Sequence, residues 1–149
     1  MKHNPLVRAT KLLLDVMFWC GIAATASVPF VLRWAGKWFP NLLTHYWPQV
    51  ILVMLAGAGA VFIILELRRM FATVLAEDCF VRGNVTSLRR MGWVSLTIAL
   101  LALIRTFLVP TPASILVTIV FFIAGLFSLV LAEVFDQAVS YKEETDLTI

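Results

Sequence analysis

Charge is scarce in this chain. Only 14% of its 149 residues are charged, against 61% hydrophobic, whereas a soluble domain ordinarily carries about 25% charge. That shortage excludes a water-soluble globular fold. Histidine is nearly absent: His3 and His45 flank the first apolar run on opposite sides and cannot share a metal. The two cysteines, Cys20 and Cys79, fall at different depths, one within an apolar run and one in a connection, so both read as ordinary thiols rather than a disulfide. Glycine-rich phosphate loops are missing, as is any Ser or Cys nucleophile near a histidine. No catalytic residue, cofactor or metal ligand is predicted, and the chain is not expected to be an enzyme. The net charge of +3 does not imply direct nucleic-acid binding, because the basic residues lie beside the apolar runs and serve to orient them.

Long apolar sequence is what the chain has in quantity. The runs are Leu12 to Leu32, Val50 to Leu65, Met91 to Val109 and Ser114 to Phe135. Crossing a hydrocarbon core of about 30 Å takes about 20 helical residues at about 1.5 Å each. The first and last runs reach that length unaided, and the middle two reach it with their flanking turns, the second to about residue 67. Lipid offers no water to backbone polar groups, so spans of this length must be helices. The predicted fold class is all-α: one membrane domain over residues 1–149, a four-helix transmembrane bundle with short cytoplasmic helical extensions. The connection 66–90 and the tail 136–149 then lie outside the bilayer. A basic start and Ala24-Thr25-Ala26 also resemble a secretory signal with its cleavage site. The apolar run continues past that site to Leu32, however, and Asp15 is unusual in a signal core, so a retained span is expected.

Orientation follows from Lys and Arg. Lys2, Arg8 and Lys11 precede the first span, and Arg68, Arg69, Arg82, Arg89 and Arg90 lie between the second and third, whereas the first outer connection has only Arg33 and Lys37. The positive-inside rule places both termini and the arginine-rich connection in the cytoplasm. Trp34, Trp38, Phe39, Tyr46 and Trp47 crowd the first outer connection, which is expected to lie along the membrane surface. Pro110-Thr111-Pro112-Ala113 permits only a turn.

Within the spans, small residues mark where helices can approach, because lipid solvates Leu as well as a neighbouring helix does. Gly21, Ala23, Ala24 and Ser27, then Ala56 to Ala60, then Ala124, Gly125 and Ser128 provide such faces. They serve either packing within the chain or a homo-oligomer contact. Past the second span, Leu67, Met70, Phe71, Val74 and Leu75 recur at helical spacing, which carries that helix to about Asp78. Gly83 is expected to supply a turn, and Asn84 to cap the next helix. This reading also accounts for Asn84-Val85-Thr86, a glycosylation acceptor pattern on the wrong side of the membrane. Asp15, Glu66 and Glu133 fall near the cytoplasmic ends of their spans, level with Arg68, Arg69, Arg89 and Arg90, and ion pairing at that rim is expected rather than a proton or ion pathway. Arg105 is expected to snorkel to the outer surface.

Phe80, Asn84, Leu88-Arg89 and Gly92, together with the ending Lys142-Glu143-Glu144-Thr145-Asp146-Leu147-Thr148-Ile149, resemble the two signatures of the bacterial membrane proteins called the domain of unknown function 2975 family. The resemblance runs over essentially the whole chain and departs at Cys79, where the family pattern has a proline. It implies four transmembrane helices in the bacterial inner membrane and no assigned activity. Genes of such proteins often lie beside one for a small helix-turn-helix regulator, a contextual association that makes this cytoplasmic regulator the candidate partner without establishing binding. The function expected is that of a regulatory or interaction protein with a cytoplasmic binding surface made of Phe80, Asn84, Arg89, Arg90, Glu143, Glu144, Asp146 and Ile149. A small transporter or channel component is the alternative.

Overall fold

The computed structural model describes residues 5–43, 45–75 and 80–148, with the side chains of all of these except residues 41, 42, 146 and 148. Four helices make up the fold: α1 (Pro5–Gly36), α2 (Tyr46–Leu75), α3 (Arg82–Leu108) and α4 (Pro112–Thr148), with one short 3-10 turn, Pro40–Leu43, between the first two. No strand occurs among the described residues. Each helix is long and apolar enough to cross a bilayer, and the chain is a multi-pass membrane protein. Exposed Phe107, Trp93 and Leu116 would be an aggregation liability in water. In lipid they are simply solvated.

The helix ends have local causes. Val109 is extended, as a residue before proline must be, and its N–H closes α3 on the Arg105 carbonyl at 2.8 Å. Pro112 starts α4, where its missing N–H costs nothing, and the Thr111 hydroxyl caps that helix by accepting the Ser114 N–H at 3.2 Å. Pro29 lies inside α1, and its carbonyl accepts the Tyr46 phenol at 2.8 Å, which ties the start of α2 to α1.

The helices pack in chain order, α1 on α2, α2 on α3 and α3 on α4, and glycine sets each seam. Gly57 and Gly59 point to opposite sides of α2. A methyl group on Gly57 would fall 2.6 Å from the Thr25 hydroxyl of α1, and one on Gly59 would fall 3.1 Å from Ile98 of α3. The α3–α4 seam is closest: a methyl on Gly92 would meet the Gly125 carbonyl at 3.1 Å, and one on Gly125 the Gly92 carbonyl at 3.0 Å. The buried Ser128 hydroxyl donates to the Leu88 carbonyl across the same seam at 2.7 Å. Small residues let backbones touch in a solvent that gives large side chains no reason to associate.

The junction between α2 and α3 differs from the sequence expectation. Gly83 makes no turn, and Asn84 does not stand at the start of the helix. The residue preceding the helix is Val81, extended at φ −124° and without a side-chain cap, and Gly83 and Asn84 already belong to α3. Asn84 is buried instead, and its amide donates to the Thr73 hydroxyl of α2 at 2.8 Å. A side-chain amide enclosed between two helices needs a partner there, and Thr73 satisfies it while donating to the Met70 carbonyl. The expected run of α2 to Asp78, and Cys79, lie outside the described residues.

Candidate functional site

One end of the molecule collects the acidic residues. Every described Asp and Glu lies there, and arginines from α2 and α3 reach them. Asp15 of α1 meets Arg68 Nε at 2.9 Å, and the same guanidinium lies over the Phe18 ring, 4.7 Å from its centre. Glu66 of α2 is fully buried; its Oε1 accepts from Arg69 at 3.1 Å and lies 3.6 Å from Arg90, while its Oε2 is enclosed without a hydrogen-bond partner. Arg89 of α3 stands between Glu133 at 3.4 Å and Asp136 at 3.6 Å, both on α4. Arg82 donates to Asp136, to the Ser140 hydroxyl at 3.1 Å and to Glu143 at 3.5 Å. The hydrogen bonds to Asp136 and then Glu143 hold the Arg82 guanidinium above its ordinary value, so it stays charged at every accessible pH.

The expected surface residues are distributed unequally over this face. Phe80 is partly exposed and its ring packs against Phe135, with centres 5.1 Å apart. Arg89, Arg90 and Glu143 belong to the ion-pair network, whereas Glu144 is exposed. Asn84 is buried and belongs to the interior rather than to any surface. Ile149 and the Asp146 side chain lie outside the description. Asp136, absent from the expected set, is the acid that joins Arg82 to Arg89. Its signal was present in the sequence: Glu133, Asp136, Ser140 and Glu143 follow one another at three- and four-residue steps, which lines them along one helix face.

A second polar cluster sits at the opposite end, below exposed Trp34, Trp38 and Trp47. The Arg105 side chain extends toward this end. It donates to the Ser114 hydroxyl at 2.9 Å, the Thr111 hydroxyl at 3.2 Å and the Gln49 side-chain oxygen at 3.2 Å, and its Nε is buried without a partner. Gln49 is itself fully buried. The Thr111 hydroxyl lies in the turn between α3 and α4, the Ser114 hydroxyl in the first turn of α4 and the Gln49 amide in the first turn of α2, so local capping geometry brings three neutral oxygens to one guanidinium. Gln49 carried a readable signal, a polar residue entering an apolar run. Its partner at position 105 is too distant in sequence to pair by spacing.

No group of three or more His, Cys, Asp or Glu among the described residues could hold a metal ion. Neither a curated protein nor a solved structure matches the chain. A family pattern does, over residues 31–149, which include Gln49, Arg105 and all of the acid–arginine face except Asp15. The chain therefore belongs to the family described as "Protein of unknown function (DUF2975)".

Proposed function

We propose that this is a regulatory or interaction protein of a bacterial inner membrane whose acid–arginine end faces the cytoplasm and receives a soluble partner. The orientation rests on charge. Of the twelve Lys and Arg, only Arg33, Lys37 and Arg105 belong to the tryptophan-rich end, and short positive connections remain cytoplasmic. The observation that carries the function is the length of α4. From Phe135 to Thr148 it continues about 20 Å past its apolar run, and Arg82 reaches only as far as Glu143. Along that stretch Tyr141 is 74% exposed and Leu147 86% exposed, beside Lys142, Glu143 and Glu144. Two large apolar groups left exposed on a charged rod outside lipid support the reading that another protein covers this surface. The small helix-turn-helix regulator associated with the family has the right character: soluble, small and cytoplasmic.

Two measurements test this reading. Reporter fusions after Gln49 and Pro112 should signal the outside, and fusions after Gly83 and Ile149 the inside; an outside signal at Ile149 overturns the orientation. Photo-crosslinking amino acids at Tyr141 and Leu147 should each trap one discrete soluble protein in cells. The adduct at Tyr141 should weaken when residues 145–149 are removed, and both adducts should weaken in Phe80→Ala, with membrane insertion unchanged. Tail positions that trap only lipid, or nothing, would rule out the surface.

A further inference from the structure

Every described carboxylate lies at the far end of the bundle, so the charge on Arg105 meets only neutral oxygens: the Thr111 and Ser114 hydroxyls and the Gln49 amide. Neutral acceptors satisfy donors without neutralising charge, and a guanidinium inside the bilayer boundary is costly until an anion joins it. The residue lies three positions before the end of α3, about 5 Å along the axis, close to headgroup depth. Directly against it is a cavity of about 280 Å³ bounded by all four helices, with Leu32, Val53, Ala56, Ala102 and Val117 in its wall.

The order of polarity along this cavity is decisive. Arg105 and Ser114 lie at the end nearest the helix termini, where buried Gln49 accepts from the guanidinium, and every lining residue deeper in the bundle is aliphatic. From Leu52 to Ala56 the wall descends about 6 Å. An ion or a polar solute has no use for that wall, and the volume falls just short of the usual range for a whole small-molecule site. It suits a single chain with a charged head. Among anions, phosphate accepts the planar fork of arginine best.

We propose that this cavity holds the headgroup-proximal part of one acyl chain of an anionic membrane phospholipid, with the lipid phosphate on Arg105 and with Gln49 and Ser114 holding the guanidinium at the cavity. The site lies at the opposite end from the proposed partner surface and does not depend on it.

The test uses full-length protein stripped of lipid in dodecyl maltoside and titrated separately with dioleoyl-phosphatidylglycerol, dioleoylglycerol, oleate and inorganic phosphate. Thermal midpoint and native mass spectrometry provide the readouts. Phosphatidylglycerol should bind and raise the midpoint, while diacylglycerol and inorganic phosphate should leave it unchanged. Arg105→Gln removes a charge-assisted contact and should weaken phosphatidylglycerol binding at least about tenfold. Val117→Phe, at a partly exposed position, fills the tail space and should weaken binding similarly with the cation intact, which keeps the test decisive if Arg105→Gln does not fold. An equal response to oleate would replace the phospholipid by a fatty carboxylate, and an equal response to inorganic phosphate would reduce the site to an anion site. Undiminished phosphatidylglycerol binding in Val117→Phe would overturn the proposal.

Discussion

The two ends of this bundle treat arginine in opposite ways. At one end Arg68, Arg69, Arg82, Arg89 and Arg90 each meet a carboxylate, and those pairs cross from α1 to α2, from α2 to α3 and from α3 to α4. At the other, Arg105 meets only hydroxyls and an amide. Charges neutralised within the chain are spent on fixing helix ends relative to one another. A charge left unneutralised within the chain is what the proposed lipid phosphate would meet at Arg105. By the same comparison the arginine-rich end, despite its many cations, should bind anions weakly, because its acids already pair with the guanidinium groups.

The strongest way to break this comparison is to strip the buried acid of its cations. Arg69→Met combined with Arg90→Met leaves Glu66 enclosed and unpaired, and removing the partners of a buried charge costs about 3–5 kcal/mol. Adding Glu66→Gln should restore most of that loss, because the isosteric amide carries no charge to compensate. Thermal unfolding in mild detergent compares the three proteins. If the double variant is as stable as the parent, the pairing at this end does not fix the helices.

A smaller effect is expected at the seam that carries both ends. Gly92→Ala forces a methyl group against Leu129 and the Gly125 carbonyl, and overpacking of this kind costs about 1–3 kcal/mol. Gly83→Ala, in the same helix, meets nothing within 4 Å and should instead gain up to about 1 kcal/mol from helix propensity. Opposite signs for two identical substitutions would locate the close approach at Gly92. Equal signs would mean that α3 and α4 do not touch there.

The all-α architecture and the four spans were legible because apolar run length and the need to satisfy the backbone in lipid leave one solution. The site was legible in part. Glu66, Glu133, Arg68, Arg69 and Arg89 could be placed at one depth by counting along each run, and Asp136 could have been found by extending the helical spacing from Glu133. Asn84 could not, since a cap and a buried amide share one residue type and only the neighbouring Thr73, eleven positions away, distinguishes them. The Arg105 cluster was hidden for the same reason: a hydroxyl of a turn, a hydroxyl of α4 and an amide of α2 carry no shared periodic signal, and their convergence is a product of packing. Gly57 and Gly59 were visible as small residues, but which seam each serves depends on the rotation of α2.

The smallest effect tests the division between the two ends most finely. Glu133→Gln removes one carboxylate from Arg89, whose guanidinium keeps Asp136 at 3.6 Å. Both partners of the lost pair are about half exposed or more, so water and salt screen it, and the cost should be about 1 kcal/mol or less. Arg105→Lys, at the other end, retains the cation but loses the planar fork that reaches three oxygens. If the two ends are energetically separate, the double variant should lose the sum of the single losses to within about 0.5 kcal/mol. Only the Glu133→Gln component should shrink as salt is raised, because its charges face water while Arg105 is tied to neutral groups beside an apolar cavity. A coupled loss, or a salt dependence that follows Arg105, would join the two ends into one electrostatic unit.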